Sequence, residues 1–231
     1  IGANFANDVY DYQKGTDRDD RLGPKRATQS GIITPEKMKN AMWLIFSLAI
    51  GVGFYLAWIG GWPIVFIGLS SIVAGLAYTG GPYPLGYHGW GDIFVFIFFG
   101  LIAVPGTYYL QVGTVTPLSF WMGAVMGLLS TAILVVNNLR DAHTDVISGK
   151  KTLAVRFGET FSKIQYSLLM LAPFSLPICL WWKLENELSL LLTLFSLPIA
   201  THLIFQIFTT TGTELNFVLI STARFLLIFT L

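Results

Sequence analysis

The chain has 231 residues, of which 54% are hydrophobic and only 12% charged, and its mean hydropathy is +0.64. Those values exclude an ordinary soluble domain and point to a multispanning helical membrane protein, an all-α bundle. The net charge of +1 conceals a strong asymmetry along the chain, and the single cysteine, Cys179, sits in an apolar run and rules out a disulfide framework.

A spanning helix needs about 20 mainly apolar residues. In chain order, residues 1–10 read as the end of an earlier helix, and seven apolar segments follow at 40–58, 63–79, 92–111, 117–136, 163–182, 188–207 and 216–231. Gly60-Gly61, Gly80-Gly81-Pro82 and Gly113 mark turns between them. The chain opens at Ile1 and stops at Leu231 inside apolar sequence, so a single transmembrane domain over 1–231, truncated at both ends, is the expectation.

Twelve of the fourteen Lys and Arg residues fall in 11–39 and 137–163, which seven alternating helices place on one side; the opposite loops offer only Lys183. By the positive-inside rule that side faces the cytosol. Trp58, Trp62, Trp121, Trp181 and Trp182 fall at the other helix ends, as an interfacial belt does. The reading is a multi-pass protein of the cytoplasmic (inner) membrane.

Two acidic segments lie on the cytosolic side, Asn7-Asp8-Val9-Tyr10-Asp11 continuing to Asp17, and Asn137-Asn138-Leu139-Arg140-Asp141 continuing to Asp145. Both contain N-x-x-x-D, and on a helix steps of four stack polar groups along one face. Stacked carboxylates repel, so such faces ask for a cation. Asp and Asn oxygens are hard donors that suit Mg²⁺, and bridging Mg²⁺ lets carboxylates hold a diphosphate they would otherwise repel. Asn7, Asp11, Asp141 and Asp145 are therefore expected to converge on Mg²⁺-diphosphate. A cytosol-facing carboxylate such as Asp141 is expected to contribute little to packing.

Basic runs follow each acidic segment, Asp20-Arg21-Leu22-Gly23-Pro24-Lys25-Arg26 and Lys150-Lys151-Thr152-Leu153-Ala154-Val155-Arg156. Topogenic charge explains some of them, including Lys37, Lys39 and Lys163. Arg21, Lys25, Arg26, Arg140, Lys151 and Arg156 are the candidates to grip phosphate oxygens or a substrate carboxylate. A third loop on the same side, Tyr78 to Asp92, offers Tyr78, Tyr83 and Asp92 as a substrate wall, unless it is a plain turn. His88 is more simply a loop residue than a base, and His143 lies on a different helical face from Asp141 and Asp145. His202 and Arg224 lie within apolar segments, where polar groups mark function or snorkel to the surface.

These motifs resemble the UbiA superfamily of intramembrane prenyltransferases over essentially the whole chain. N-D-x-x-D-x-x-x-G-x-D with Gly15 and Asp17, the D-R-x-G-P-x-R run from Asp20 to Arg26, and Asn137 to Asp141 leading to Gly149 through Gly158 are similar to its 1,4-dihydroxy-2-naphthoate polyprenyltransferase branch. The Tyr78-Thr79-Gly80-Gly81 loop ending in Gly91-Asp92 is similar as well. Other branches place a third Asp where Gly15 stands, and Asp17 is the candidate to substitute for it here. The resemblance implies a nine-helix fold around a central cavity, and metal ligation by Asn7, Asp8, Asp11, Asp17, Asn137, Asp141 and Asp145. Asp11, Asp141 and Asp145 would carry catalysis, with Mg²⁺ as cofactor.

It also implies transfer of a long isoprenyl group from a polyprenyl diphosphate to 1,4-dihydroxy-2-naphthoate with loss of CO₂, giving demethylmenaquinol. Membrane lipid is then a partner and nucleic acid is not. Two alternatives stand beside this reading. One is a superfamily member with another aromatic acceptor. The other is a transporter or carrier of a phosphorylated amphiphile, although transporter sites lie near the midplane rather than on one side.

Overall fold

The computed structural model describes residues 1–17, 21–183 and 188–230, and every regular element among them is helical. Arg18 and Asp20, which belong to the basic patterns above, lie outside the described residues. The first helix, α1 (Gly2–Gln13), packs on α2 (Pro35–Gly60) and α3 (Trp62–Ala77). A short turn at Leu85–His88 leads into α4 (Gly91–Val95), a π-helical stretch at Phe96–Ile102 and α5 (Ala103–Val112). The longest helix, α6 (Pro117–Ile147), is followed by α7 (Leu153–Leu171), α8 (Ser175–Lys183), α9 (Leu197–Thr209) and α10 (Leu215–Thr230).

Six stretches among the described residues are long and apolar enough to cross a membrane: Pro35–Gly60, Gly91–Val112, Pro117–Ile147, Leu153–Trp182, Leu191–Thr209 and Gly212–Thr230. The seventh expected segment is the 16-residue α3. This is the architecture of a multi-pass integral membrane protein. Its outward faces are apolar, with Trp58 90%, Phe54 75% and Trp62 73% exposed, which suits contact with lipid rather than water.

Local sequence starts the helices. Thr34 accepts a hydrogen bond from the Lys37 amide with Pro35 in the first turn of α2. Thr116 and Ser119 form a reciprocal capping box at α6, and Thr152 caps α7 through the Val155 amide. Each device satisfies amides that the first helical turn leaves without partners.

Two boundaries differ from the apolar segments. The fourth segment ends at 136 by composition, yet α6 runs on to Ile147 and carries the second acidic segment on its own last turns. The fifth begins at 163 by composition, yet helix begins at Leu153 and is interrupted at Gly158, whose φ of 82° is left-handed. Apolarity reports how deep a residue sits in the slab, whereas helix continues wherever backbone groups stay paired, so composition alone truncates both.

α6 runs through the centre of the packing. Its Leu129, Ala132 and Val136 are fully buried against Tyr166 and Met170 of α7, Ile207 of α9, and Val218 and Phe225 of α10. The Tyr166 hydroxyl meets Thr222 Oγ1 at 2.8 Å, satisfying two polar groups in that core. A Cβ at Gly100 would lie 2.5 Å from the Gly123 carbonyl and 2.7 Å from Gly127 Cα. Only glycine lets the π-helical stretch press this closely on α6, the small-residue contact on which helices in lipid rely. A second cluster, Ala6, Met42 and Phe46, seats α1 on α2.

Candidate active site

The far ends of α1 and α6 converge on one cavity of about 610 Å³. Nine residues singled out in the sequence line it: Asn7, Asp11, Asp17, Arg21, Arg26, Tyr78, Asn137, Asp141 and Asp145. Segments 130 positions apart thus face one another, Asp11 from one and Asp141 from the other.

On the first side Asp11 is 1% exposed. Its Oδ1 accepts from the Tyr87 hydroxyl at 2.6 Å and its Oδ2 from Arg26 Nη2 at 2.8 Å. Asp17 is paired with Arg21 and, at 3.2 Å, with Arg26 Nε, so Arg26 spans two carboxylates. The second oxygen of Asp17, Oδ2, is buried without a hydrogen-bond partner. Asn7 Oδ1 accepts from the Thr79 hydroxyl at 2.9 Å.

On the second side Arg140 grips Asp141 with both ends of its fork, Nε to Oδ1 at 2.8 Å and Nη2 to Oδ2 at 2.6 Å. Its Nη2 also donates to Asn137 Oδ1 at 2.8 Å, and its Nη1 to Asn216 Oδ1 at 2.7 Å. One cation joins the two sides: Lys150 Nζ lies 3.6 Å from Asp11 Oδ2 and 3.9 Å from Asp145 Oδ1.

Burial shapes the titration of the groups outside the spans. It pushes the Asp17 carboxyl above the usual carboxylate range, while Arg26 and Arg21 pull it back. It lowers the Lys14 ammonium against the opposing pull of Asp11. The Tyr87 phenol is pushed well above its ordinary range by burial and then by the Asp11 charge, so it stays a neutral donor to Asp11.

Deeper in the bundle the wall turns apolar, with Val95 and Phe99 from α4 and the π-helical stretch, Ile133 and Leu134 from α6, and Leu219 from α10. The cavity therefore has a charged mouth and an apolar interior.

Seven of the sequence candidates do not line the cavity. Asp8 is 7% exposed and accepts from the Ala27 and Thr28 amides, both at 3.2 Å, which anchors the turn that follows Arg26. Lys25 is exposed, and Tyr83 is exposed and stacks on His88 at 3.7 Å between ring centroids. Asp92 is buried behind the wall, held by Gln165 Nε2 at 2.7 Å and Asn138 Nδ2 at 3.4 Å. Arg140 is 4% exposed and stands behind Asp141. Lys151 meets the Tyr87 carbonyl through its backbone amide, and Arg156 donates to the His88 carbonyl at 2.8 Å, tying the third loop to the second acidic segment.

The expectation that Asp141 contributes little to packing is corrected: it is 8% exposed and bidentate to a buried arginine. Its removal would leave the buried Arg140 charge short of a partner, which is costly.

The sequence reading passed over Lys150 and Tyr87, both of which line the cavity and touch Asp11. Lys150 and Lys151 are indistinguishable by composition. A usable signal was Gly149: its φ of 72° closes the chain back after α6, and the Lys150 amide then bonds the Asp145 carbonyl at 2.9 Å. For Tyr87 the sequence offered no signal beyond membership of the aromatic loop.

Among the described residues no three acidic, histidine or cysteine side chains form a ready-made metal cage. Asp11, Asp17, Asp141 and Asp145 instead ring the cavity mouth, and the partnerless Asp17 Oδ2 is an open donor. This oxygen-only set has the chemistry of a hard divalent ion that keeps waters and shares a ligand's phosphate oxygens.

Comparison with known proteins places these residues in context. Residues 1–223 match the model of the UbiA prenyltransferase family. The chain is 40% identical over 177 residues to the 1,4-dihydroxy-2-naphthoate octaprenyltransferase of Escherichia coli (strain K12), covering 74% of this chain and 58% of that protein. It is likewise 40% identical over 184 residues to the protein of that name from Mycobacterium leprae (strain TN), covering 78% and 61%. Human UbiA prenyltransferase domain-containing protein 1 is 29% identical over 203 residues, covering 87% and 59%. The chain thus spans about 60% of the length of the curated relatives it matches.

Proposed function

The chain belongs to the UbiA prenyltransferase family, and on that footing we propose that it transfers a long isoprenyl group from its diphosphate to the ring of 1,4-dihydroxy-2-naphthoate. The carboxylate leaves as CO₂, and the products are demethylmenaquinol and diphosphate. The observation that carries this reading is the meeting of two acidic segments across one cavity with cationic groups at its mouth and an apolar interior. The names of the bacterial relatives support the choice of acceptor.

The chemistry follows from that arrangement. The bond between the prenyl C1 and the diphosphate oxygen breaks with its electrons going to oxygen, so negative charge builds on the leaving group and positive charge on the allyl carbon. Lys150 and Arg21 line the mouth and stabilise the first charge. Val95, Phe99, Ile133, Leu134 and Leu219 sheath the isoprenyl chain and keep water from the second. The electron-rich hydroquinone carbon then attacks the allyl carbon. Asp11, Asp17, Asp141 and Asp145 would hold Mg²⁺, which when bound neutralises the diphosphate against the carboxylates around it.

The acceptor is an anion and needs a cation that the diphosphate does not saturate. Arg26, whose fork reaches two carboxylates, is the best placed, with Tyr78 on the adjoining wall. The cavity mouth is assigned to the cytosolic face of the cytoplasmic membrane, because the basic loops gather there.

A donor and acceptor panel tests the reading. Purified protein in detergent, given Mg²⁺, a polyprenyl diphosphate and 1,4-dihydroxy-2-naphthoate, is expected to release diphosphate and yield a prenylated, decarboxylated hydroquinone by mass spectrometry. Product from 4-hydroxybenzoate in place of naphthoate would reassign the acceptor. Absence of diphosphate release with every acceptor would reject the transferase reading.

A further inference from the structure

The asparagines that open the two acidic segments hold their carbonyl oxygens in protein contacts. Asn137 Oδ1 accepts from Arg140 Nη2 at 2.8 Å. A guanidinium has donors only, so this contact fixes which end of the amide meets it. Arg140 is itself immobilised: it is 4% exposed, bidentate to Asp141, and bonded to Asn216. Asn7 Oδ1 accepts from the hydroxyl of Thr79, which is 3% exposed. Both asparagines line the cavity, and among the described residues neither amide nitrogen has a hydrogen-bond partner.

We propose that Asn7 and Asn137 act as amide donors to diphosphate oxygens, and not as magnesium ligands. The inference rests on the diphosphate reading of the cavity and deepens it. A metal ion on Asn137 Oδ1 would share a neutral amide oxygen with a guanidinium nitrogen, without the negative charge by which a carboxylate such as Asp141 offsets two adjacent cations. The amide NH₂ is in the opposite position: it is a donor facing a cavity, and an anionic oxygen is the partner that satisfies it best. The aspartate four residues on stands on the same helical face, with Cβ atoms about 5–6 Å apart at that step. Each N-x-x-x-D unit thus offers a donor for the anion beside an acceptor for the cation, and the two units do so from opposite sides.

Substitution by aspartate separates the two roles, because Asn137→Asp keeps an oxygen for Arg140 and exchanges only the NH₂ for a second oxygen. The full chain in detergent is titrated calorimetrically with inorganic pyrophosphate at saturating Mg²⁺, and with Mg²⁺ at fixed pyrophosphate. Asn137→Asp and Asn7→Asp are each expected to weaken pyrophosphate binding by about tenfold or more, without recovery at higher Mg²⁺. Retained or tighter pyrophosphate binding in either variant, with a lower half-saturating Mg²⁺ concentration, would make that asparagine a metal ligand and overturn the proposal. Failure of the unsubstituted protein to bind pyrophosphate with Mg²⁺ would instead remove the diphosphate reading, and the inference with it. The two substitutions lie on different helices, and thermal unfolding without ligand identifies a variant that has not folded, so either one carries the test alone.

Discussion

Asp11 and Asp141 occupy the same place in the same N-x-x-x-D spacing, yet their charges are met in different ways. Asp11 is bonded by Tyr87 and Arg26 and approached by Lys150, all from other parts of the chain. Asp141 takes both its bonds from its immediate neighbour, Arg140. The surroundings of Asp11 are therefore assembled by loops lying over α1, whereas the partner of Asp141 comes from α6 itself, with Asn216 of α10 holding the other end of the guanidinium. Equal spacing fixes which residues share a helical face, but not where their counter-ions come from.

Breaking the local arrangement should have the largest effect. Arg140→Met leaves the buried Asp141 and the half-buried Asn137 and Asn216 with unmet acceptors. A cost of about 3–5 kcal/mol is expected, seen as a large fall in thermal stability in detergent and loss of activity. Unchanged stability would mean that Asp141 does not depend on this arginine.

The assembled arrangement should respond in catalysis more than in folding. Lys150→Met removes the one cation described near both Asp11 and Asp145, and kcat/KM should fall by about ten- to a hundredfold. Lys151→Met, at an exposed position outside the cavity, should stay within about twofold of the unsubstituted protein. Equal losses in both would return Lys150 to general surface charge. A smaller effect is expected for Arg26→Lys. An ammonium is a single point and cannot span Asp11 and Asp17 as the fork does. The KM for naphthoate should rise by about three- to tenfold, and more than the KM for the prenyl diphosphate. Equal shifts would assign Arg26 to the diphosphate.

The smallest effect concerns pH. Burial raises the Asp17 carboxyl above its unfolded value. Its contribution to stability is therefore full below the ordinary carboxyl range and is lost as pH rises through the raised value. Asp17→Asn should remove that loss, which begins at the unfolded carboxyl value of about 3.9, so the difference in Tm between about pH 3.5 and pH 7 should narrow. A wider difference in the variant would show that Arg21 and Arg26 outweigh burial.

The spans were legible because an apolar run of about 20 residues has few alternatives. The acidic faces were legible because a step of four has one meaning on a helix. Arg140 was legible as a participant but not as a buried support, since a charged residue in an acidic motif looks the same whether it faces a ligand or a neighbouring helix. Asp8 shows the same limit: its oxygens meet the Ala27 and Thr28 amides, a contact set by where a distant turn lies. The choice between Lys150 and Lys151 depends on the left-handed Gly149 that turns one side chain inward. Side-chain direction after a helix end is decided by the chain's path, which composition does not encode.

The central claim is that the two segments make a single site, and a double-mutant cycle tests it most directly. Single-turnover rates are measured for Asp11→Asn, Asp141→Asn and the double variant, each first shown to be folded. If both carboxylates serve one diphosphate, the double variant should lose about as much as the worse single variant, as residues acting as a unit do. Losses that multiply would mean two independent sites, and would contradict the account.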